Sequence, residues 1–279
     1  MERRDVIVIG AGLAGLSAAA HLAKEGHRPL VLEHHAVPGG FAHEFTRRGF
    51  RFEVALHALD GAGPGGWLYG MLKPLGVLDR ITLQRLDPLY RLRLPDFEVT
   101  AHADVNDYRQ DLVDLFPGEA EGITGFLDAV KRVGRDVGGF ARDRATAWKP
   151  TPIEMMERFP DMSTAFTQNW ADFLSAHVSD DQLKAALSAL WGYFGLPPSR
   201  MSAGLFASAL ASYHLNGGYY PVGGSMALSR ALEDVIVEHG GSVLYRNTVT
   251  DLEVDAGKVK AVSTHRGERY EADVFISTA

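Results

Sequence analysis

The chain has 279 residues, of which 46% are hydrophobic and 23% are charged, as expected for one large or two modest globular domains. Its net charge of −7 offers no overall attraction to nucleic acid. It contains no cysteine, which excludes disulfides, thiolate metal sites, iron–sulfur clusters and a redox-active dithiol. Any electron transfer must therefore use a bound cofactor.

The first predicted elements are a strand, a glycine-rich turn, a helix and a second strand. Residues 6–9 form an apolar run, residues 13–25 carry apolar and small side chains at helical spacing, and residues 29–32 form another apolar run. The acidic Glu33 follows directly. The turn contains a G-x-G-x-x-G pattern made of Gly10, Gly12 and Gly15. This order is the βαβ arrangement that binds the ADP half of a dinucleotide.

Each glycine of the pattern has a predicted role. Gly10 permits the tight turn, Gly12 lets the backbone approach a pyrophosphate, and Gly15 lets the helix lie close to the sheet. The free N–H groups and the positive dipole end of the helix then face the phosphates. Glu33 can accept hydrogen bonds from both ribose hydroxyls, and its charge repels a 2′-phosphate, which favours FAD or NAD over NADP. The alternative is a glycine-rich turn without a ligand.

The N-terminal segment superficially resembles a secretory signal peptide, because basic residues precede an apolar stretch. Asp5 interrupts that transition, and the nucleotide fold accounts for the same residues. No uninterrupted apolar stretch reaches the length of a transmembrane helix. We therefore expect a cytoplasmic protein, either free or peripherally bound to a membrane.

Short strands and turns are predicted next. Gly39–Gly40 mark a turn, and residues 50–54 and 90–94 alternate apolar with charged side chains, as short strands do. Residues 67–73 predict a short helix that Pro74 and Gly76 stop. The strand at 90–94 lies at the beginning of an insertion into the nucleotide domain.

From Asp104 to about Tyr213 the sequence is mainly helical. Asp104 is predicted to cap one helix, residues 119–137 to form a longer one, and Ser179 to begin another. The chain is thus predicted to contain a first part of the nucleotide domain at 1–82, an insertion at 83–215 and a second part of the nucleotide domain at 216–279.

The α/β character returns after the insertion. A turn-rich loop with Gly223–Gly224 precedes a helix whose apolar face is Leu228, Leu232, Val235 and Ile236. Four strand-like runs follow, at 242–245, 249–254, 259–264 and 274–276. The fold class is therefore α/β, with a Rossmann-like domain and a mainly helical insertion. Because the chain stops at Ala279, directly after an apolar strand, we expect a C-terminal portion to be missing.

Three segments together resemble a known family. They are GAGLAGLSAAAHLAKEGHRPLVLE at 10–33, PGGFAHEFTRRGFRFEVALH at 38–57, and GGYYPVGGSMALSRALEDVIVEHGGSVLYRNTVTDLEVDAGKVKAV at 217–262. The combination is similar to FAD-dependent carotenoid and retinoid oxidoreductases, among them phytoene desaturases, carotenoid isomerases and retinol saturases, within the amine-oxidase-like flavoproteins. The resemblance implies a Rossmann-like FAD-binding domain with a helical substrate-domain insertion. It also implies an enzyme that desaturates, saturates or isomerises the double bonds of a long apolar isoprenoid.

The resemblance further implies which residues bind FAD. Gly39–Gly40 match a turn beside the pyrophosphate and flavin, and Phe41 stands where many relatives have arginine. Gly223–Gly224 match a glycine pair near the isoalloxazine ring, and Val249 a strand residue whose backbone meets the adenine. The predicted cofactor set is Gly10, Gly12, Ala14, Gly15, Glu33, His34, Gly39, Gly40, Phe41, Gly223, Gly224 and Val249. Relatives continue into a Gly-Asp flavin segment, so the isolated chain is expected to bind FAD weakly and to turn nothing over.

Other candidate residues have competing interpretations. The resemblance places His57 near the flavin, which makes it a candidate proton donor, with packing or hydrogen bonding as the alternative. Tyr219 and Tyr220 either line an apolar substrate tunnel or pack in a turn. The apolar stretches 187–191 and 205–210 either contact a bilayer or belong to the core.

Two patterns suggest sites that we do not predict. The histidines near Glu44 lack the spacing of a metal site on a helix; they are His34, His35, His43 and His57. A second glycine triplet contains Pro64 and lacks a following strand and acid, so a flexible loop is preferred to a second nucleotide site; it is made of Gly61, Gly63 and Gly66.

Three functional classes stay open. The first is the FAD enzyme with an apolar small-molecule substrate, which predicts no nucleic-acid partner and leaves the oligomeric state undefined. The second is a flavin amine oxidase. The third is a non-catalytic binder of prenyl groups, as in Rab GDP-dissociation inhibitors, which resemble this fold.

Overall fold

The structure is a computed structural model that describes residues 4–146 and 148–279. The chain divides into two compact units. The first unit comprises residues up to Leu59, Trp67–Gln84 and Tyr219–Ala279, and the second comprises Asp60–Gly66 and Arg85–Gly218. For comparison, the sequence placed the limits at 82/83 and 215/216 and assigned residues 60–66 to the first domain.

The elements are numbered in chain order. The first group is β1 (Arg4–Ile9), α1 (Leu13–Lys24), β2 (Pro29–Leu32), β3 (Glu44–Arg47), β4 (Phe50–Glu53), β5 (Leu59–Asp60), α2 (Trp67–Leu75), β6 (Leu83–Arg85), β7 (Tyr90–Arg93) and β8 (Glu98–Ala101). The helices that follow are α3 (Val105–Leu115), α4 (Ala120–Arg144), α5 (Pro152–Arg158), α6 (Pro160–Phe166), α7 (Trp170–Ser175), α8 (Asp181–Leu187) and α9 (Ala203–Asn216). The last group is β9 (Gly218–Pro221), α10 (Ser225–Glu238), β10 (Ser242–Leu244), β11 (Val249–Asp255), β12 (Lys258–Thr264) and β13 (Arg269–Ser277). Short 3-10 helices lie at Val77–Asp79, Pro117–Glu119 and Ala189–Phe194.

Within the described residues of the first unit, six strands form one sheet in the order β10-β2-β1-β13-β12-β11. The first four strands are parallel, and β12 and β11 continue the sheet in antiparallel orientation. In this register Val6 of β1 lies between Pro29 and Val274. Every residue of β2 is buried, as expected for a strand covered on both faces. The predicted βαβ start and α/β fold class are confirmed.

Helices α1 and α10 pack against each other in the first unit. Helix α1 buries mainly alanine and glycine, and small side chains allow close packing. The apolar face predicted for α10 is buried: Leu228, Leu232, Val235 and Ile236. Burial of this stripe confirms the helical period read from the sequence.

The second unit is mainly helical, as predicted. Helix α4 packs against α9 and α6, and α9 also contacts α7. The largest fully buried side chains of this core include Phe126, Trp170, Leu174, Leu183, Met201 and Phe206. Among the described residues, no helix has the length and apolar character needed to cross a bilayer.

Helix ends agree with the prediction at Asp104 and differ elsewhere. Asp104 caps α3 by accepting a hydrogen bond from the Asn106 N–H. At α8 the cap is Asp180, which accepts the Leu183 N–H, instead of Ser179, which donates its N–H and hydroxyl to Glu119. The longer predicted helix runs on to Arg144 as α4.

The sequence predicted that Pro74 and Gly76 stop this helix; α2 continues through Pro74 to Leu75 and ends before Gly76. The proline lies in the last turn, where it removes a single hydrogen bond, and the residue four positions earlier is Gly70. The helix ends before Gly76, whose φ of +74° is left-handed.

We predict that Trp170→Ala lowers the free energy of unfolding of the second unit by about 3–5 kcal/mol. The Trp170 side chain is 0% exposed, its ring contacts Phe206, and its indole N–H donates to the Ser188 hydroxyl. The measurement is urea unfolding followed by far-UV circular dichroism. The matched control is Trp191→Ala, since Trp191 is 45% exposed. Equal losses in the two variants would contradict this assignment of the core.

Candidate dinucleotide-binding site

The carboxyl ends of four neighbouring parallel strands meet at one edge of the sheet. Gly10 follows β1, Glu33 follows β2, Tyr245 follows β10 and Thr278 follows β13. Ligands of open α/β sheets bind outside this edge. The edge is therefore the candidate site, and it gathers residues from both ends of the chain.

The glycine-rich turn packs too tightly for side chains at two positions. Gly10 has a φ of +99°, and its N–H donates to the Leu32 carbonyl at 2.8 Å. A Cβ on Gly15 would lie 2.0 Å from the Gly10 carbonyl oxygen. This contact holds the start of α1 against the end of β1, as predicted for Gly15.

Gly12 has a different environment, because the protein itself leaves space there. A Cβ on Gly12 would lie 3.9 Å from the nearest atom, the Cα of Gly40, and its φ of −68° suits any residue. Gly12 is the N-cap of α1, which has no side-chain cap and no acidic residue in its first turn. The first N–H groups of α1 are thus open to an anion.

Glu33 is a buried acid fixed beside this turn. The residue is 4% exposed, and its two carboxylate oxygens accept the N–H groups of Ala11 at 2.7 Å and His35 at 2.6 Å. Each carboxylate oxygen has two lone pairs, so acceptor capacity remains for ligand hydroxyls. His34 is exposed, with its Nδ1 3.0 Å from a Glu33 oxygen. Ala14, on the first turn of α1, is also exposed.

The second predicted glycine turn lies directly beside the first. The Gly39 N–H donates to the Ala11 carbonyl at 2.7 Å, and a Cβ on Gly40 would lie 3.0 Å from the Gly12 Cα. Ser229 of α10 donates to the Ala42 carbonyl and fixes the end of this turn. Phe41 is 79% exposed, so its ring contributes little to the packing of the turn.

The segment after β10 runs alongside the segment after β2. The Glu33 N–H donates to the Leu244 carbonyl, and the Asn247 N–H donates to the Glu33 carbonyl at 2.7 Å. Val249, two residues later, begins β11 opposite Thr264. The predicted adenine contact Val249 is thus only two residues from a direct partner of Glu33.

A carboxylate caps α10, and the sequence did not predict it. Glu53 accepts hydrogen bonds from the Tyr220 hydroxyl at 2.6 Å, the Ser225 N–H at 2.6 Å and the Ser225 hydroxyl at 2.5 Å. Gly224, with a φ of +90°, is the N-cap of α10 and supplies no side chain. The sequence feature that indicated an external cap was the Gly-Gly-Ser start of α10, in which the N-cap residue has no side chain.

Arg51 ties the same turn to the hairpin of β3 and β4. Its guanidinium donates to both carboxylate oxygens of Glu44, at 2.6 and 2.7 Å, and to the Gly223 carbonyl at 2.9 Å. A Cβ on Gly224 would lie 2.8 Å from a Glu44 oxygen. The predicted pair Gly223–Gly224 is therefore enclosed by three charged side chains of the hairpin, those of Glu44, Arg51 and Glu53.

Thr278 is a second residue missed by the sequence analysis. Its N–H and hydroxyl both donate to the Ile9 carbonyl, at 2.9 and 3.0 Å. Its hydroxyl oxygen would lie 2.8 Å from a Cβ on Gly10. It closes the glycine-rich turn from the side of β13. Because Thr278 is distant from Gly10 in sequence, only strand pairing reveals the contact.

Residues 13–279 match the family model for flavin-containing amine oxidoreductases. The chain belongs to this family. It is 33% identical over 278 residues to all-trans-retinol 13,14-reductase of Macaca fascicularis, covering 95% of this chain and 45% of that protein. It is 30% identical over 288 residues to prolycopene isomerase 2 of an Oncidium hybrid cultivar, covering 100% of this chain and 48% of that protein. The chain spans about half the length of these relatives.

The fold agrees with a solved structure of the same type. An oxidoreductase from Methanosarcina mazei matches with a TM-score of 0.70 and 22% identity, covering 98% of this chain and 58% of that one. Family membership gives a flavin as the cofactor, as the sequence resemblance implied. The strand edge suits the diphosphate of a dinucleotide, because open amides at Gly12 lie beside the buried Glu33.

The remaining candidate residues lie elsewhere in the structure. His57 is exposed in the loop between β4 and β5, and Tyr219 is half-buried on β9. The second glycine triplet forms a turn closed by a hydrogen bond from Gly66 N–H to the Gly63 carbonyl. A Cβ on Gly66 would lie 2.1 Å from the Gly61 carbonyl oxygen, which explains this glycine by packing. The preceding strand β5 has only two residues.

The two apolar stretches considered for membrane contact are each partly core. Leu187 and Leu210 are buried, whereas Trp191 and Leu205 are exposed. Core packing therefore accounts for Leu187 and Leu210. Peripheral membrane contact through the exposed Trp191 and Leu205 is a proposal.

We predict that Gly12→Ala weakens ligand binding without changing stability, whereas Gly15→Ala lowers stability. Gly12→Ala keeps the free energy of unfolding and weakens ADP binding at least about tenfold, because only a ligand phosphate meets the new methyl group. Gly15→Ala lowers the free energy of unfolding by about 1–3 kcal/mol, because its Cβ meets a backbone oxygen. Urea unfolding and calorimetric ADP titration measure the two effects.

The control for both variants is Gly70→Ala, at an exposed position in α2 with no atom within 4 Å of a new Cβ. It should leave ADP binding unchanged. Unchanged ADP affinity in a folded Gly12→Ala variant would remove the diphosphate from the start of α1.

We also predict a pH-dependent role for Glu53. Burial raises the pKa of this carboxyl, but hydrogen bonds from Ser225 and Tyr220 and the charge of Arg51 outweigh it and hold the pKa below the ordinary 4.5. Burial and the Glu53 hydrogen bond raise the pKa of Tyr220 to about 12, so the phenol remains a donor. Stability from Glu53 is therefore complete above pH 4.5 and is lost as the pH falls through the lowered pKa.

The measurement is the difference in free energy of unfolding between wild type and Glu53→Gln from pH 7 to pH 3. We expect wild type to be more stable at pH 7 and the difference to shrink below about pH 4.5. Glu25→Gln, at an exposed position after α1, is the control. A difference that stays constant over the whole range would show that ionised Glu53 does not cap α10.

Proposed function

We propose that the protein is an FAD-dependent oxidoreductase acting on carbon–carbon double bonds of an apolar isoprenoid or polyene. The names of two relatives support the substrate class, since one is a retinol 13,14-reductase and the other a prolycopene isomerase. Saturation, desaturation and cis–trans isomerisation all fall within the proposal. A cytoplasmic location, free or peripheral on a membrane, is part of it.

The observation that carries the choice of FAD is the open start of α1 beside a buried acid. Unpaired N–H groups at a helix N-terminus bind a diphosphate, and FAD contains one whereas FMN does not. Glu33 adds an acceptor for ribose hydroxyls and repels a 2′-phosphate. Both features point to an adenine dinucleotide without that phosphate.

In this proposal the chain's own residues bind, orient and exclude water. The first amides of α1 and the Gly39–Gly40 turn hold the diphosphate, and Glu33 orients the adenosine half. Glu53 and Arg51 fix Gly223–Gly224 where the resemblance implies the flavin ring. The chemistry that FAD supplies when bound is hydride transfer to or from a double bond.

Tyr220 has a positioning part in this proposal. Its hydroxyl is committed to Glu53 at 2.6 Å, so the ring is fixed while the polar end is satisfied. A phenol whose proton is donated in this way offers a substrate its apolar ring and no free donor. Tyr219, half-buried on the same strand, is the second proposed substrate-lining residue. His57 remains a proposed proton donor.

Two alternatives stay in competition. A flavin amine oxidase is favoured by the description of the family model, which names amine oxidoreductases. A non-catalytic binder of prenyl groups would use the same fold without redox chemistry. The open amides at Gly12 favour real dinucleotide binding over this second alternative.

Titration of the purified chain with FAD and FMN, followed by flavin fluorescence, tests the cofactor. We expect saturable but weak FAD binding, with FMN at least about tenfold weaker because it lacks the adenosine diphosphate half. Riboflavin is the control for ring stacking alone. Equal affinity for FAD and FMN, or no binding of either, would refute the proposed site.

The chemical class is tested with the gene product that carries this chain, loaded with FAD. Chromatography then follows all-trans-retinol, prolycopene and a primary amine. A saturated or isomerised polyene supports the proposal, and amine oxidation alone supports the amine oxidase. A colourless protein that binds a prenyl lipid supports the non-catalytic binder.

A further inference from the structure

Asn247 has a buried oxygen without a hydrogen-bond partner. Its side chain is 3% exposed, and its Oδ1 accepts nothing within the described residues. Buried side-chain acceptors are nearly always paired, because an unpaired one loses its hydration without compensation. The function as proposed so far gives this oxygen no role.

The position of Asn247 connects it to the candidate site. Its N–H donates to the Glu33 carbonyl at 2.7 Å, and the preceding Arg246 N–H donates to the His35 carbonyl at 2.9 Å. Two buried polar side chains, Glu33 at 4% and Asn247 at 3% exposure, therefore belong to backbone segments that are directly hydrogen-bonded.

The backbone that carries Asn247 is itself held in an uncommon conformation. Arg246 has a φ of +52°, which non-glycine residues rarely adopt. Such residues persist where the surrounding structure fixes them, and they cluster at ligand sites. Here the two hydrogen bonds to Glu33 and His35 hold the turn on both sides of the peptide.

We propose that the Asn247 side-chain oxygen accepts a hydrogen bond from the adenosine half of the dinucleotide, as a second recognition group beside Glu33. This inference rests on the proposed function. Adenosine offers ribose hydroxyls and an exocyclic amine as donors. A neutral amide adds an acceptor without the repulsion that a second carboxylate near Glu33 would create.

The test compares ADP with two analogues that each lack one donor group. Purine riboside 5′-diphosphate lacks the exocyclic amine, and 2′-deoxy-ADP lacks one ribose hydroxyl. For wild type we expect about tenfold weaker binding of one analogue than of ADP, the size of one good hydrogen bond. For Asn247→Ala we expect weaker ADP binding and no discrimination against that same analogue.

Calorimetric titration of the 279-residue chain supplies the affinities, and urea unfolding confirms that each variant is folded. Asn106→Ala, at an exposed position in α3 of the second unit, is the matched control. If Asn247→Ala does not fold, Asn247→Leu decides the matter, because leucine has a similar shape and lacks the acceptor oxygen. Lost discrimination in that folded variant supports the inference, and retained discrimination overturns it.

The outcomes separate the inference from the function on which it rests. Wild type that binds neither ADP nor FAD overturns both. Wild type that binds ADP, with Asn247→Ala giving the same ratios for both analogues, overturns only the role of Asn247. In that case the asparagine is a core residue paired by water.

Discussion

The unpaired N–H groups at the start of α1 are the constraint around which the first unit is arranged. Helix α1 has neither a capping side chain nor an acid in its first turn, so these donors require an external acceptor. The close contact of Gly15 with the Gly10 carbonyl fixes where the donors lie. Glu33 meanwhile accepts the Ala11 N–H, just before the helix begins. The Ala11 N–H thus has its acceptor within the turn, whereas the first N–H groups of α1 have none.

Parallel strand pairing brings the other site residues to this opening. Thr278 closes the turn from β13, and Asn247 binds the Glu33 backbone from the segment after β10. Each of these residues follows the carboxyl end of a strand adjacent to β1 or β2. Because register fixes where each strand ends, a shift in the pairing of β13 or β10 would separate Thr278 from Ile9 or Asn247 from Glu33.

Sequence reasoning succeeded where the determining interactions are local. The βαβ start, the Asp104 cap and the apolar face of α10 follow from spacing within a few residues. It failed at α8, where Asp180 is the cap and Ser179 donates to Glu119, 60 residues away. It also missed Glu53, whose partner Ser225 is 172 residues distant. Local pattern carries no information about such partners, so neither contact could be predicted.

Helices α1 and α10 of the first unit differ in how their first N–H groups are capped. Both begin at a glycine that supplies no capping side chain. At α10 the protein provides its own anion, the carboxylate of Glu53, whereas the start of α1 receives none. An internal carboxylate at α10 repels a ligand anion there, which supports the proposal that the diphosphate binds at α1.

The residues around the start of α1 also determine which interactions would stabilise a bound diphosphate in the proposed site. Phe41 follows the second glycine turn, so this position supplies no cation. In the proposed site, α1 offers a diphosphate its backbone dipoles, whose effect is short-ranged and falls off within the first turn. Affinity therefore depends on how closely the ligand reaches the backbone, which is set by the absence of a side chain at Gly12. In this site the missing Cβ is as much a binding determinant as any charged group.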